Sequence, residues 1–261
     1  MRIIVCIKEI QDPEAPALRV DEDRKEIIPL DGLQVTSPFD EQAIEAALRL
    51  RDKGAQCRIS VITFGPAEAA KAIKRALSMG ADDGIHVSNA GMERADSIAT
   101  AHVLAHAIRS SGAFDLILAG RQAADWDAGV VGCGLAELLD LPIVTFAMSV
   151  QLDDGKVVVE RVLDDGFETV LAPLPCVVTV SNELGEPRKA SLRETMRAAK
   201  KPTQALDLRA IGLSGASLAP RQERERLFIP QKTAECEFAP GASAEEMAKQ
   251  IVARLSAAKL V

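Results

Sequence analysis

Four short runs of apolar, largely β-branched residues constrain this 261-residue chain more than any other feature: RIIVCI at 2–7, CRISVITF at 57–64, DGIHVS at 83–88 and DLILAG at 115–120. Runs with no polar face belong to a parallel sheet covered on both sides. Helical patterns stand between them. FDEQAIEAALRLRDKG, at 39–54, sets Ala43, Ile44, Ala47, Leu48 and Leu50 to one side, begins with acids and stops at Gly54. GPAEAAKAIKRALSMGA, at 65–81, has Pro66 in its first turn and Gly80 at its end, the usual proline–glycine asymmetry. DSIATAHVLAHAIRSSG, at 96–112, completes the set. Strand and helix in alternation predict βαβ units with right-handed crossovers, hence an α/β fold with a doubly wound, mostly parallel sheet.

The pattern changes near Leu141. TFAMSVQLDDGKVVVERVL reads as two strands joined at a DDG turn, an added β-hairpin, and CVVTVS at 176–181 as a further buried strand. ALRVDEDRKEIIPLDG, at 17–32, reads as an irregular hairpin inserted after the first strand. Beyond Lys200 the pattern weakens through GLSGASLAPRQERERLF and returns only in SAEEMAKQIVARLSAAKL, an amphipathic terminal helix. These signals predict an α/β nucleotide-binding domain at 1–200 and, at 201–261, an extended C-terminal arm lying along another surface.

Composition excludes several functions. Aromatic residues are 3% with no tyrosine, and the net charge is −7, so neither a stacking platform nor a basic face for nucleic acid is expected. MRIIVCIK is too short an apolar run for a signal peptide, and no window approaches a membrane span, so no membrane insertion and a cytoplasmic location are expected. The five cysteines (Cys6, Cys57, Cys133, Cys176, Cys236) are scattered without a CxxC and read as reduced, mostly buried thiols.

AGRQAADWDAGVVG, at 119–132, follows the fourth apolar run and enters a helix, at the strand end where open α/β sheets bind ligands. CIKEIQD and TFGPAEA stand at equivalent ends, so three loops converge. Gly129 and Gly132 leave room for close approach, and the first turn of the following helix offers N–H groups to an anion. Asp125 and Asp127 repel a phosphate placed against them; they suit ribose hydroxyls or capping of the helix. Both readings stand at this level. Neither GxGxxG nor GxxxxGK[ST] is present. His102 and His106, spaced i, i+4, lack the glutamate of HExxH and a third ligand. Cys133 has no histidine nearby in sequence and reads as a small residue packed at a helix start. The basic cluster at 197–202 complements a helix C-terminus.

VERVLDDGFETVLAPLPCVVTV, at 159–180, closely resembles the signature of electron-transfer flavoprotein β subunits, with Arg161, Asp164, Asp165, Gly166, Glu168, Pro175 and Thr179 at its characteristic positions. VCIK, SPFDEQAIEAALRLRDKG, FGPAEAAKAIKRALSMGADDGIHV, GRQAADWD, NELGEPRKASLRETMRAAKKP and PQKTAE agree in order, so the resemblance covers nearly the whole chain. It implies an adenine-nucleotide-binding, Rossmann-like version of the fold in a heterodimer. The redox FAD lies mainly in an α subunit, and an AMP is buried in this one. In a branch performing electron bifurcation with NADH, a second FAD takes the place of AMP.

The resemblance further implies that Gly120, Gln122, Asp125, Asp127 and the backbone of Ala128, Gly129, Val130, Val131 and Gly132 surround the phosphates and ribose. Cys6, Ile7, Phe64 and Gly65 border the adenine. Ala128, Gly129 and Val130 stand where the family carries polar or phosphate-facing residues, which leaves phosphate holding to backbone N–H groups. Phe39 matches an aromatic near the α-subunit flavin. Leu184, in a recognition loop at about 181–192, matches an exposed leucine that docks onto acyl-CoA dehydrogenases, and the arm embraces the α subunit. The implied role is an electron carrier with no catalytic residues of its own, passing electrons from acyl-CoA or related dehydrogenases to a downstream acceptor. The rival readings are the bifurcating subunit and a stand-alone nucleotide-binding stress or signalling protein.

Overall fold

The period-2 geometry of a strand sends alternate residues to opposite faces, and here each face meets its own pair of helices. In the computed structural model, which describes residues 1–15, 18–30, 32–214, 218–230 and 236–261, the elements run in this order. β1 is Arg2–Cys6, β2 Glu9–Gln11, β3 Val20–Asp21, β4 Glu26–Ile27, β5 Gln34–Thr36, α1 Pro38–Asp52, β6 Arg58–Gly65, α2 Ala70–Met79, β7 Asp83–Ser88 and α3 Ser97–Ser110. β8 is Leu116–Gly120, α4 Val131–Leu139, β9 Ile143–Asp153, β10 Lys156–Leu163, β11 Gly166–Pro173, β12 Cys176–Val180, α5 Leu192–Ala198, β13 Thr203–Leu206 and α6 Ala244–Ala257.

One nine-stranded sheet has the order β11-β10-β9-β12-β8-β1-β6-β7-β13. Ile3 and Val5 of β1 and Leu116 and Leu118 of β8 join Ile44, Leu48, Ile73 and Leu77 of α1 and α2 in one buried cluster. Ile4 and Cys6, with Ile117 and Ala119, join Val103, Leu104, Leu135 and Ala136 of α3 and α4 in another. The sheet is therefore doubly wound, as the near-continuous apolar runs require. From β9 through β13 by way of β12, β8, β1, β6 and β7 every pairing is parallel; β10 pairs antiparallel with both its neighbours.

The hairpin at Asp153–Gly155 forms as expected, and β11 extends it to three strands. Short antiparallel pairs, β3–β4 and β2–β5, follow the first strand. β13 lies past Lys200, where the pattern predicted the arm to begin, and pairs parallel with β7; Leu208 and Ile211 are buried beyond it. TQAL is a short, mostly exposed edge strand of mixed polarity, which is why no apolar run announced it. Lys201 does not serve the helix it follows. Its ammonium donates to Leu77 O at 2.8 Å and Ala81 O at 2.6 Å, at the C-terminal end of α2.

All five cysteines are free; Cys6 and Cys176 are buried, Cys57 is intermediate, and Cys133 and Cys236 are exposed, so the expectation of mostly buried thiols fails for two. α6 forms with Ser243 as its N-cap and has no buried residue. Among the described residues no helix is long and apolar enough to cross a membrane.

Candidate nucleotide-binding edge

After β1 the chain moves outward through β6 and β7, then returns to place β8 on the other side of β1. The helix after β1 packs on one face and the helix after β8 on the other. The crevice that opens where such connections diverge lies at the carboxyl ends of β1 and β8. Parallel pairing brings the expected residues together there: Cys6 is the register partner of Ala119 on one side and Ile62 on the other. Cys6 and Ile7, Phe64 and Gly65, and Gly120 thus end three adjacent strands.

One side chain closes this edge, and the sequence reading did not single it out. Asp40, in the first turn of α1, accepts the Lys8 N–H through Oδ2 at 2.8 Å and the Gly120 N–H through Oδ1 at 3.1 Å, tying β1 to β8. Its burial, 6% exposed, pushes its carboxyl up to about 7, against the pull of those two N–H groups. Burial, and then the nearby Asp40 charge, also raise the Cys6 thiol well above the ordinary range, which leaves it un-ionised. In sequence Asp40 was only an acid at a helix start.

Gly120 is required by contact. A Cβ there would lie 2.6 Å from Asp40 Oδ1, 2.7 Å from Phe39 Cβ and 2.9 Å from the Phe39 carbonyl carbon. Gly132, read as space for a ligand, has that space taken, since a Cβ would meet Thr179 Cγ2 at 2.5 Å. It lets α4 press on β12. Gly129, by contrast, adopts φ 63 in the loop itself.

Within the loop, Asp125 accepts from Lys8 Nζ at 2.7 and 2.9 Å. Asp127, at φ 48, accepts from Gln122 Nε2 at 2.8 Å. Neither aspartate caps α4, whose N-cap position is Val130 and carries no side-chain cap bond. The capping reading is therefore wrong for this loop. The guanidinium of Arg121 sits 4.9 Å from the Phe39 ring centre and 5.8 Å from that of Phe146, and donates to Ser181 Oγ at 3.1 Å. Phe39 is half-buried, while residues 126–130, including Ala128 and Gly129, are exposed.

Two other expectations change. Leu184 is 6% exposed, in a short 3₁₀ turn whose polar residues, Asn182 and Glu183, face outward. The loop is fastened to α1: Arg49 Nη1 donates to Leu184 O at 2.8 Å, and Arg188 pairs with Glu45 at 2.7 Å. Burial alone would raise the Glu45 carboxyl; hydrogen bonds from Arg188 and Arg49 hold it below its ordinary value. Cys133, expected to pack, is exposed on α4. The segment 231–235, which holds most of PQKTAE, lies outside the described residues, and among those described no cluster of three His, Cys, Asp or Glu is placed to hold a metal.

An adenine nucleotide needs acceptors for its ribose hydroxyls and donors for its phosphate. The edge supplies carboxylates and an α4 first turn free of side-chain caps. The residues present fit the nucleoside and phosphate through backbone donors, yet the side chains of 128–132 carry no cation.

A family model described as "Electron transfer flavoprotein domain" matches residues 31–211. The chain is 34% identical, over 98% of both chains, to the caffeyl-CoA reductase-Etf complex subunit CarD of Acetobacterium woodii. It is 32% identical, over 89% of both, to the electron transfer flavoprotein subunit beta of Megasphaera elsdenii. With the human electron transfer flavoprotein subunit beta it shares 39% identity over 79% of this chain and 81% of that one.

Proposed function

Because the chain belongs to the electron-transfer flavoprotein β-subunit family, we propose that it pairs with an α subunit that carries the redox FAD. In this reading the heterodimer takes electrons from an acyl-CoA or related dehydrogenase and hands them to a downstream acceptor, and this subunit holds a structural AMP. The observation that carries the nucleotide part is the Asp40 bridge. It fixes the ends of β1 and β8 at the switch point, with Lys8, Asp125 and the start of α4 around them.

Each residue then has a task. Cys6, Ile7, Phe64 and Gly65 border the adenine. Gln122, Asp125 and Asp127 face the ribose, and the backbone of 128–132 holds the phosphate. Phe39 lies toward the α-subunit flavin. The flavin, when bound, supplies the one- and two-electron chemistry; this chain positions and encloses. The arm supports the heterodimer, because Met247, Ile251 and Leu255 make an exposed apolar stripe along α6. Partner docking falls to the 181–192 segment, where Leu184 faces inward and Asn182, Glu183 and Leu192 are exposed.

A second reading follows from one observation. The match to the caffeyl-CoA reductase-Etf complex subunit runs over 98% of both chains, arm included. It favours a stable complex with a CoA-ester reductase, with a second FAD in place of AMP and NADH as donor.

Co-expression with the cognate α subunit, followed by release and chromatography of bound nucleotides, tests both. One FAD and one AMP per heterodimer supports the first reading, and two FAD without AMP the second. One FAD alone overturns the nucleotide assignment. Failure to pair with an α subunit overturns the heterodimer.

A further inference from the structure

A nucleotide phosphate brings roughly 1.5–2 negative charges at neutral pH, and the loop at 120–132 carries one cation, Arg121, turned toward aromatic rings. Lys8 is held by Asp125 at 2.7 Å. Arg121 is placed between Phe39 and Phe146 and bound to Ser181. The side chains at 128–132 are Ala, Gly, Val, Val and Gly. Asp125 and Asp127 add repulsion. Backbone N–H groups supply direction but only partial charge.

The C-terminal arm brings a cation to this place. Its segment 218–230 is fixed at the start of α3, where Asp96 accepts the N–H of Arg221 at 2.6 Å and of Gln222 at 3.0 Å through Oδ2. The same carboxylate caps α3 by accepting Ala99 N–H through Oδ1 at 2.7 Å. Three residues on, the Arg224 guanidinium lies 4.2 Å from the ring centre of Trp126, the one tryptophan of the chain, between Asp125 and Asp127. Arg224 also donates to Lys25 O, at the β3–β4 turn. Among the described residues it makes no ion pair, so its charge is not neutralised by a carboxylate partner.

We propose that Arg224 is a nucleotide-binding residue: the arm lends its guanidinium across Trp126 to the phosphate of the bound adenylate, in place of side-chain donors that positions 128–132 lack. This rests on the nucleotide reading above. A planar fork stacked on an indole keeps its in-plane N–H groups free for phosphate oxygens, which a lysine ammonium cannot match. The arm then has two tasks, α6 toward the partner subunit and 221–226 toward the nucleotide.

The test uses the α–β complex, stripped of loosely held nucleotide and titrated with AMP by calorimetry, with FAD content as the check on assembly. R224A is expected to weaken AMP binding roughly tenfold or more, the scale of a lost charge-assisted hydrogen bond, and to flatten its salt dependence. R224K is expected to fall between. R226A, two residues along the arm and stacked on Phe228, serves as the charge-matched control and is expected to bind like the parent. Equal AMP affinity in R224A and the parent, at equal FAD content, overturns the proposal while leaving the nucleotide reading intact. A parent complex that binds no AMP and carries no second FAD overturns that reading, and the proposal with it.

Discussion

The carboxyl edge of the sheet and the terminal helix α6 are built on opposite principles. At the edge, Gly120 lies against the backbone of Phe39, and a buried carboxylate spans two strand ends. Nothing can be added there without moving something else. Along α6 no residue is buried, and Met247, Ile251 and Leu255 stand exposed one turn apart. The edge is closed by its own side chains; the helix has a face that the described residues do not cover. Close packing marks the edge proposed to hold a nucleotide, and it is absent along the helix proposed to meet a second protein.

Substitutions that separate the two regions test this contrast. The largest effect is expected from Gly120→Ala, whose methyl would overlap α1 backbone and Asp40. We expect a loss of about 2–3 kcal/mol or failure to fold, read by urea unfolding, since overpacking against backbone has no flexible neighbour to yield. Gly132→Ala meets the Thr179 methyl instead, a side chain rather than backbone, though buried and held by the Phe146 N–H, and about 1–2 kcal/mol is expected. Equal costs at the two glycines would mean that the edge is no stiffer than the rest of the sheet.

Asp40→Asn comes next and carries a sign. The folded carboxyl is raised to about 7, above its unfolded value near 3.9, so the folded state holds the extra proton. Stability therefore falls as pH rises from about 4 to about 7, and the asparagine variant should lack that slope. Unfolding at pH 5 and pH 8 reads it; a parallel pH profile in both proteins would remove Asp40 from the account. At the bottom of the scale, Met247→Asp and Ile251→Asp on α6 should leave the isolated chain within about 0.5 kcal/mol of the parent, yet reduce α-subunit capture in co-purification. A destabilised chain with capture unchanged would break the comparison.

The sheet was legible because strands buried on both faces leave an apolar signature that survives any context. The helices followed from their caps and spacing. Elements whose character depends on neighbours were not legible. β13 is a mostly exposed edge of mixed polarity, and its membership in the sheet comes from β7, not from its own residues. Leu184 was an exposed anchor only by the family resemblance, and the packing of its loop on α1 turns it inward. The aspartates of the loop look like helix caps by spacing, but Lys8, distant by 117 positions, takes one of them. Asp40 was visible only as an acid in a first turn; its partners lie just past β1 and at the end of β8, which the sequence does not bring together.

The contact at Gly120 has a mechanical consequence. With no side chain between them, the end of β8 and the first turn of α1 touch backbone to side chain, and Phe39 rides directly on residue 120. A displacement of that strand end bears directly on Phe39, because no side chain lies between the two. Because Asp40 also holds the Gly120 N–H, a shift of the β8 end and a shift of the Phe39 ring are expected to go together.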